Sequence, residues 1–150
     1  MEIVQREDSE GYLANWAARL FAQAMDRAIR PHGLSSAYVP VLFALGRGAE
    51  LSQTQLAHFA AIEQPTMAAT LGRMDRDGLL TRRRDPSDGR KSLIGLTAKG
   101  REKVAVVAEA VAGINGCATE GFGCDERQRH RERMVRLVRN LDRLVNAAQD

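Results

Sequence analysis

Polar side chains that can read the edges of DNA bases cluster near the middle of the chain. Gln64 carries an amide that can pair with adenine, and Thr66 offers a hydroxyl and a methyl group to a base edge or a thymine methyl. Arg73, about two helical turns further on, suits a phosphate oxygen. A solvated helix face has a similar composition, so spacing alone leaves both interpretations open. The DNA contacts predicted here are Gln53, Gln64, Pro65, Thr66, Ala68, Ala69, Thr70 and Arg73.

A second polar set surrounds a turn rich in Pro, Asp and Gly at residues 85–90. Arg90 leaves this turn, and an arginine on a hairpin tip fits the narrow, negatively charged minor groove. We expect Asp88 to orient the Arg90 guanidinium through a bidentate pair, although an aspartate in a turn often caps its own backbone. The arginines at 82–84 alternate in direction along a strand, so they cannot all face the same phosphates. The DNA contacts predicted here are Arg84, Asp88, Arg90 and Lys91.

Two short helices and a hairpin are needed to position these side chains. A Ser-x-x-Gln capping box at 52–55 predicts a helix over 53–60 with Leu56, Ala57 and Phe59 inward. Pro65 stands near the first position of a second helix, where its missing N–H costs nothing. Helices this close together are typical of a helix-turn-helix. Strand-like stretches at 79–84 and 91–96 then predict an antiparallel hairpin, or wing.

Longer amphipathic helices flank this central module. Apolar residues recur at helical spacing over 11–29, after a cap at Thr97, and in a last helix opened by Asp125, with a break predicted from the glycines of 113–123. These helices are too apolar for one small module to hide, so we expect them to pack together and against a second copy. The fold class expected is mostly α with a small β-hairpin wing: one protomer over 1–150, a winged helix-turn-helix over about 36–97, and dimerisation helices over about 9–30 and 98–148.

Charge is distributed unevenly along the chain. The formal net charge is only +3, but residues 73–103 carry ten Lys/Arg and five Asp/Glu, whereas the rest of the chain has a net charge of −2. A basic segment in a mildly acidic frame suits a phosphate backbone. No stretch has the roughly 18 apolar residues of a membrane span, and the N-terminus is acidic, unlike a signal peptide. We therefore expect a cytoplasmic protein without a membrane partner.

Residues for other chemistries are not found. We recognise no pairing of nucleophile and base and no phosphate loop, so we do not expect an enzyme. Cys117 and Cys124 are too few and too unsuitably spaced for a disulfide framework or a zinc site, so we expect no metal and no cofactor. A helical protein-interaction module that keeps this fold without binding DNA specifically remains the alternative.

The stretch 51–100 resembles the MarR family of bacterial regulators. The resemblance implies a homodimer with interlocked terminal helices that places two winged modules on a pseudo-palindromic operator, usually represses, and is often released by a small aromatic or phenolic ligand. Ala69 and Gly89 stand where many relatives have arginine, so the family does not predict the operator, and these two residues favour the alternative. The motifs that carry the resemblance are Glu63–Met67, Arg73–Leu80, Asp85–Arg90 and Leu96–Gly100.

The resemblance also implies a ligand pocket where the first, second and fifth helices meet. Aromatic walls with a few polar ends suit such a pocket, although an aromatic residue on an apolar stripe is more often part of the core. A further alternative is a redox sensor that uses Cys117 or Cys124, but redox members of the family tend to carry the reactive cysteine near the N-terminus. The predicted pocket residues are Trp16, Leu20, His32, Tyr38 and Leu42.

Overall fold

Six α-helices and one two-stranded antiparallel hairpin form the part of the chain that the structure, a computed structural model, describes, residues 5–147. This arrangement confirms the predicted fold class, mostly α with a small hairpin wing. Single 3-10 turns cover Arg6–Asp8, Arg30–His32 and Ser36–Tyr38. The main elements are α1 (Glu10–Ile29), α2 (Val39–Leu45), α3 (Gln53–Ala60), α4 (Gln64–Arg76), β1 (Leu80–Arg84), β2 (Ser92–Leu96), α5 (Ala98–Ala118) and α6 (Cys124–Ala147).

The helix-turn-helix forms from local signals. The Ser52 hydroxyl accepts a hydrogen bond from the backbone N–H of Gln55 (3.2 Å), and the Gln55 side chain accepts one from the N–H of Ser52 (2.9 Å). This capping box is as predicted, and α3 has the predicted bounds. Ala61, at φ 52°, turns the chain into α4, whose first turn contains Pro65. The chain leaves α4 through Gly78 in the left-handed conformation, at φ 72°. Glycine adopts this conformation without steric cost.

The wing is paired in the predicted antiparallel manner. Its register runs from Leu80 opposite Leu96 to Arg84 opposite Ser92, so each strand begins one residue later than expected. Ile94 also exchanges two backbone hydrogen bonds with Leu51, at 3.0 and 2.9 Å. The wing is therefore attached through its backbone to the segment that precedes α3.

A hydrophobic core lies beneath the helix-turn-helix and includes Leu42, Leu56 and Leu71, all nearly inaccessible to solvent. The predicted inward position of Phe59 is wrong, because 59% of this residue is exposed. With about 3.6 residues per turn, the buried face of α3 is centred between Leu56 and Ala57 and leaves Phe59 outside it.

Internal contacts divide the chain into a unit that ends at Ile114 and a unit that begins at Asn115. The predicted break across 113–123 is wrong in part, because α5 continues to Ala118 before the chain turns at Gly121 (φ 83°). A glycine inside a helix costs only about 1 kcal/mol relative to alanine, which a 21-residue helix can tolerate. In the second unit, α6 leaves large apolar side chains exposed. Within residues 5–147 no helix is both long and apolar enough to cross a membrane.

Candidate nucleic-acid interface

The N-terminal half of α4 presents its predicted polar residues on one exposed surface. Met67, Leu71 and Met74 are buried at spacings of four and three, which turns the opposite face of the helix outward. The side chains of Gln53 and Gln64 are hydrogen-bonded to each other (Nε2 to Oε1, 3.2 Å), so the two helices of the motif meet at this surface. The exposed residues of this half are Gln64, Pro65, Thr66, Ala68 and Ala69.

Thr70 corrects the predicted set. Only 1% of this residue is exposed, because it lies three residues after Met67 and four before Met74 on the buried face of α4. Its hydroxyl accepts a hydrogen bond from Nη2 of Arg73 (3.3 Å). The prediction that Thr70 contacts DNA is therefore wrong, and its side chain instead holds the exposed Arg73.

The wing turn is organised by its own aspartates. The Asp88 carboxylate accepts a hydrogen bond from the backbone N–H of Arg90 (3.1 Å) and lies 3.6 Å from the Lys91 ammonium. The expected bidentate pair between Asp88 and the Arg90 guanidinium is therefore wrong, since the short aspartate side chain caps its own backbone. Asp85 accepts two hydrogen bonds from Ser87, and these lower the pKa of the Asp85 carboxyl. Arg90 is exposed, and no carboxylate of residues 5–147 pairs with it.

The three arginines of β1 differ in their partners. Nε and Nη2 of Arg82 donate to one carboxylate oxygen of Asp75 on α4, at 2.9 and 2.6 Å. Arg83 points the other way and donates through Nε (2.7 Å) and Nη2 to Glu50, before α3. The Arg83 guanidinium lowers the pKa of the Glu50 carboxyl. Arg84 is exposed and has no carboxylate partner in the described part of the chain, so it stays a predicted phosphate contact.

Sequence reasoning missed a polar groove between α3 and the wing. It has a volume of about 260 Å³ and includes the first turn of α3, where backbone N–H groups lack helical partners and favour anions. The two cations that line it are Arg82 of β1 and Lys91, the residue just before β2. The capping box was the signal that could have identified the α3 side, but no local pattern shows which strand residues face it. The lining residues are Ser52, Gln53, Thr54, Arg82, Lys91, Ser92 and Ile94.

The predicted ligand-pocket residues differ in how far they are exposed. Tyr38 and Leu42 are core residues, 5% and 0% exposed, so their part in a ligand pocket stays a prediction. Leu20 is 51% exposed, and His32 also lies at the surface. Trp16 is half-buried beneath the Arg6 guanidinium, which lies 4.3 Å from the centre of its ring. Tyr38 and Leu42 are buried because both belong to the hydrophobic core beneath the helix-turn-helix.

Other chemistries find little support in the described residues. Cys117 and Cys124 are unbonded and exposed. Exposure is one of two conditions for thiol reactivity, the other being a lowered pKa, so a redox role stays a prediction. Residues 5–147 contain no cluster of three or more His, Cys, Asp or Glu that could hold a metal ion.

The fold and this surface together define a winged helix-turn-helix protein. A family model described as "MarR family" matches residues 32–91. The uncharacterized HTH-type transcriptional regulator YwoH of Bacillus subtilis (strain 168) is 30% identical over 89 residues, which are 59% of this chain. The match spans 64% of that relative, less than two thirds of its length.

Two solved structures extend the likeness over nearly the whole chain. The transcriptional repressor CouR, bound to a 23-mer DNA duplex, is 27% identical with a TM-score of 0.79, over 92% of this chain and 98% of that one. Bordetella bronchiseptica BpsR, described with a mechanism for regulation of its DNA binding by 6-hydroxynicotinic acid, is 26% identical with a TM-score of 0.78, over 94% and 98%. This chain therefore matches the MarR family model over residues 32–91 and shares the fold of these two solved structures over nearly its whole length.

Proposed function

We propose that this protein is a sequence-specific regulator of transcription that binds double-stranded DNA as a homodimer and represses. One observation carries the proposal: the exposed polar start of α4 and the exposed Arg90 of the wing belong to one unit, with side chains suited to the two DNA grooves. The likeness to CouR, which was solved on a DNA duplex, supports it.

We assign the exposed residues to three kinds of DNA contact: base edges, phosphates and the minor groove. Gln64 and Thr66 read base edges in the major groove, with Gln53 holding the Gln64 amide in place. Arg73 and Lys91 contact phosphates, which position the protein but carry no sequence information. Arg84 joins the phosphate set, and Arg90 enters the minor groove.

Exposed apolar surface supports the homodimer. On α1, Leu20 is 51% and Phe21 41% exposed, and on α6, Val138 is 58% and Leu144 69% exposed. Monomeric soluble proteins rarely leave large contiguous apolar patches open to water. We infer that a second copy covers these faces by two-fold symmetry, and a pseudo-palindromic operator would then require two recognition helices about 34–36 Å apart, one turn of DNA.

Footprinting on the DNA that flanks the protein's own gene tests the proposal. We expect protection of two half-sites one helical turn apart, with affinity that falls steeply as salt rises, because neutralised phosphates release counterions. The double variant Q64A/T66A should lose the selective protection and keep weak general binding, and Gln128→Ala, an exposed residue of α6 outside this surface, serves as its control. A protein that protects no duplex at low ionic strength contradicts the proposal and favours the interaction module.

Control by a small aromatic or phenolic ligand is the second part of the proposal. BpsR, whose DNA binding is linked to 6-hydroxynicotinic acid, supports it by similarity. On α1, Trp16 is half-buried and Leu20 is exposed, and we expect a second copy to complete any pocket around them. Hydroxylated aromatic acids added to the footprinting reaction should release the operator at a concentration that Trp16→Ala raises. Unchanged protection with every such acid contradicts this part alone.

A further inference from the structure

A cluster of side-chain hydrogen bonds surrounds the C-terminal end of α4, away from its DNA-reading start. Tyr38 Oη donates to the carboxylate of Asp77 (2.7 Å), and Lys99 Nζ donates to the backbone carbonyl of the same residue (2.7 Å). Thr97 Oγ1 donates to the carbonyl of Gly78 (2.8 Å). The Lys99 and Thr97 bonds satisfy backbone carbonyls at and just after the helix end, and the Tyr38 bond holds the Asp77 side chain, so the end of α4 is held from two directions.

The first direction leads to α1. Tyr38 belongs to the 3-10 turn before α2, and the backbone N–H of Ser36 in that turn donates to the Asp26 carboxylate on α1 (2.6 Å). The Tyr38 ring is packed in the core, 5% exposed. Burial and the hydrogen bond to Asp77 raise the pKa of Tyr38 to about 12, so the phenol keeps its proton and donates at neutral pH.

The second direction leads to α5. A Cβ added at Gly100 would lie 2.3 Å from the carbonyl oxygen of Leu79, so the first turn of α5 approaches the chain just after α4 backbone to backbone. The Thr97 N–H also donates to the Leu79 carbonyl (3.0 Å). This close backbone contact leaves the first turn of α5 little room to move. The backbone of Lys99 is therefore fixed relative to Asp77.

We propose that Tyr38, Asp77 and Lys99 act as a clamp that sets the direction of α4 relative to α1 and α5, and that selective DNA binding depends on this clamp. The inference rests on the proposed function. A helix of 13 residues is about 20 Å long. A tilt of about 5° at its clamped end would move its reading end by nearly 2 Å, while binding contacts need placement within about 0.5 Å. Phosphate contacts act as point charges and tolerate such a shift better.

Tyr38→Phe tests the clamp because it removes one hydroxyl and keeps the buried ring. The probes are a duplex that the wild-type protein selects from a random pool and an unrelated duplex of equal length. We expect affinity for the selected duplex to fall at least about five-fold, as for a modest coupling between sites, and affinity for the unrelated duplex to stay within about two-fold. Tyr12→Phe on α1 is the control, since that side chain is 45% exposed and its hydroxyl makes no hydrogen bond within residues 5–147.

Variants of the partner separate positioning from a general loss of stability. Asp77→Asn keeps an oxygen that accepts from Tyr38 and should preserve selectivity, whereas Asp77→Ala should resemble Tyr38→Phe. The double variant Y38F/D77A should be no worse than either single change, because both remove the same bond. Lys99→Met should weaken selectivity by the α5 route. If Tyr38→Phe does not fold, Asp77→Ala decides, since Asp77 is exposed and outside the core.

Two results overturn the clamp. The first is a Tyr38→Phe protein that keeps the wild-type ratio of affinities for the two duplexes. The second is an equal loss for both duplexes, which indicates general loosening. A wild-type protein that selects no duplex overturns the proposed function, and the clamp with it, so the two failures are distinguishable.

Discussion

At the scale of single residues, the aspartates of the wing turn are bonded within the turn, whereas the guanidinium of Arg90 is exposed. The Asp85 carboxylate accepts hydrogen bonds from Ser87. The Asp88 carboxylate accepts one from the backbone N–H of Arg90 and pairs with the Lys91 ammonium. The Arg90 guanidinium extends from a turn that is ordered without it. Because the backbone of the turn is already hydrogen-bonded, the side chain of Arg90 is what has to be ordered on binding.

Arg90→Ala should therefore reduce affinity for the operator by about 1 to 3 kcal/mol while the protein stays folded. A gel-shift titration at fixed salt, with a thermal melt of each protein, measures both quantities. Arg129→Ala on α6 is a matched control that removes an exposed arginine outside the wing. Equal affinity of the wild-type and Arg90→Ala proteins would remove Arg90 from the interface.

The buried phenol of Tyr38 should make the stability of the folded protein fall at alkaline pH. Its pKa is raised to about 12 in the folded protein, above the value near 10 of the unfolded chain, so its contribution to stability is complete below about pH 10 and is lost as the pH rises through 12. The unfolding free energy of the wild-type protein should fall relative to that of Tyr38→Phe by up to about 1.4 kcal/mol per pH unit in that window. Urea titrations of both proteins from pH 8 to 12 measure this, and parallel curves would contradict it.

At the scale of elements, two ion pairs hold β1 between neighbouring segments. Arg82 attaches the strand to α4 through Asp75, and Arg83 attaches it to the residues before α3 through Glu50. Both pairs are partly exposed, and exposed pairs contribute at most about 1 kcal/mol to stability. Their effect therefore lies in the orientation of the wing and not in the global stability of the fold.

Arg82→Asp should loosen the wing without unfolding the protein. We expect faster hydrogen exchange at the amides of Ser92–Leu96, with a change in unfolding free energy below about 1 kcal/mol. The charge swap R82D/D75R should restore slow exchange. Arg84→Asp is the control on the same strand, and a swap that restores nothing would show that the pair does not order the wing.

At the scale of the whole molecule, α1 and α6 leave large apolar residues exposed, and the proposed homodimer would bury them. On α6, Met134, Val138, Leu141 and Val145 recur at spacings of four, three and four, which places them on one stripe. Each is at least 40% exposed. Such a stripe is costly in water and becomes favourable when a second copy buries it.

Val138→Asp should shift the protein from dimer to monomer, because the interface would bury an unpaired charge. Light scattering after size-exclusion chromatography measures the mass, and the expected loss of operator affinity accompanies the loss of the dimer. Asn140→Asp adds the same charge on the polar side of α6 and should leave the dimer intact. A dimeric Val138→Asp protein would place the interface elsewhere.

The elements could be predicted from sequence because their signals are local. The capping box of Ser52 and Gln55, and Pro65 in the first turn of α4, act within a few residues of the structure that they specify. The outward residues of α4 follow from the same short-range periodicity. Thr70 was misplaced because a polar side chain suggested exposure, although it lies between Met67 and Met74 on the buried face. Phe59 was misplaced because an apolar side chain suggested burial, although the buried face of α3 is centred between Leu56 and Ala57.

Partners between elements were decided by tertiary structure alone. Tyr38 and Asp77 lie 39 positions apart, and Glu50 and Arg83 lie 33 apart. The sequence offers each flexible charged side chain several partners of opposite charge. Only the packing of the backbone brings one of them within hydrogen-bond distance. The sequence alone thus determined the helices, the wing and the outward residue types at the start of α4. The folded chain decided which arginines are paired, which tyrosine is buried and which side chains bind the end of α4, because those choices depend on distances that the chain acquires only on folding.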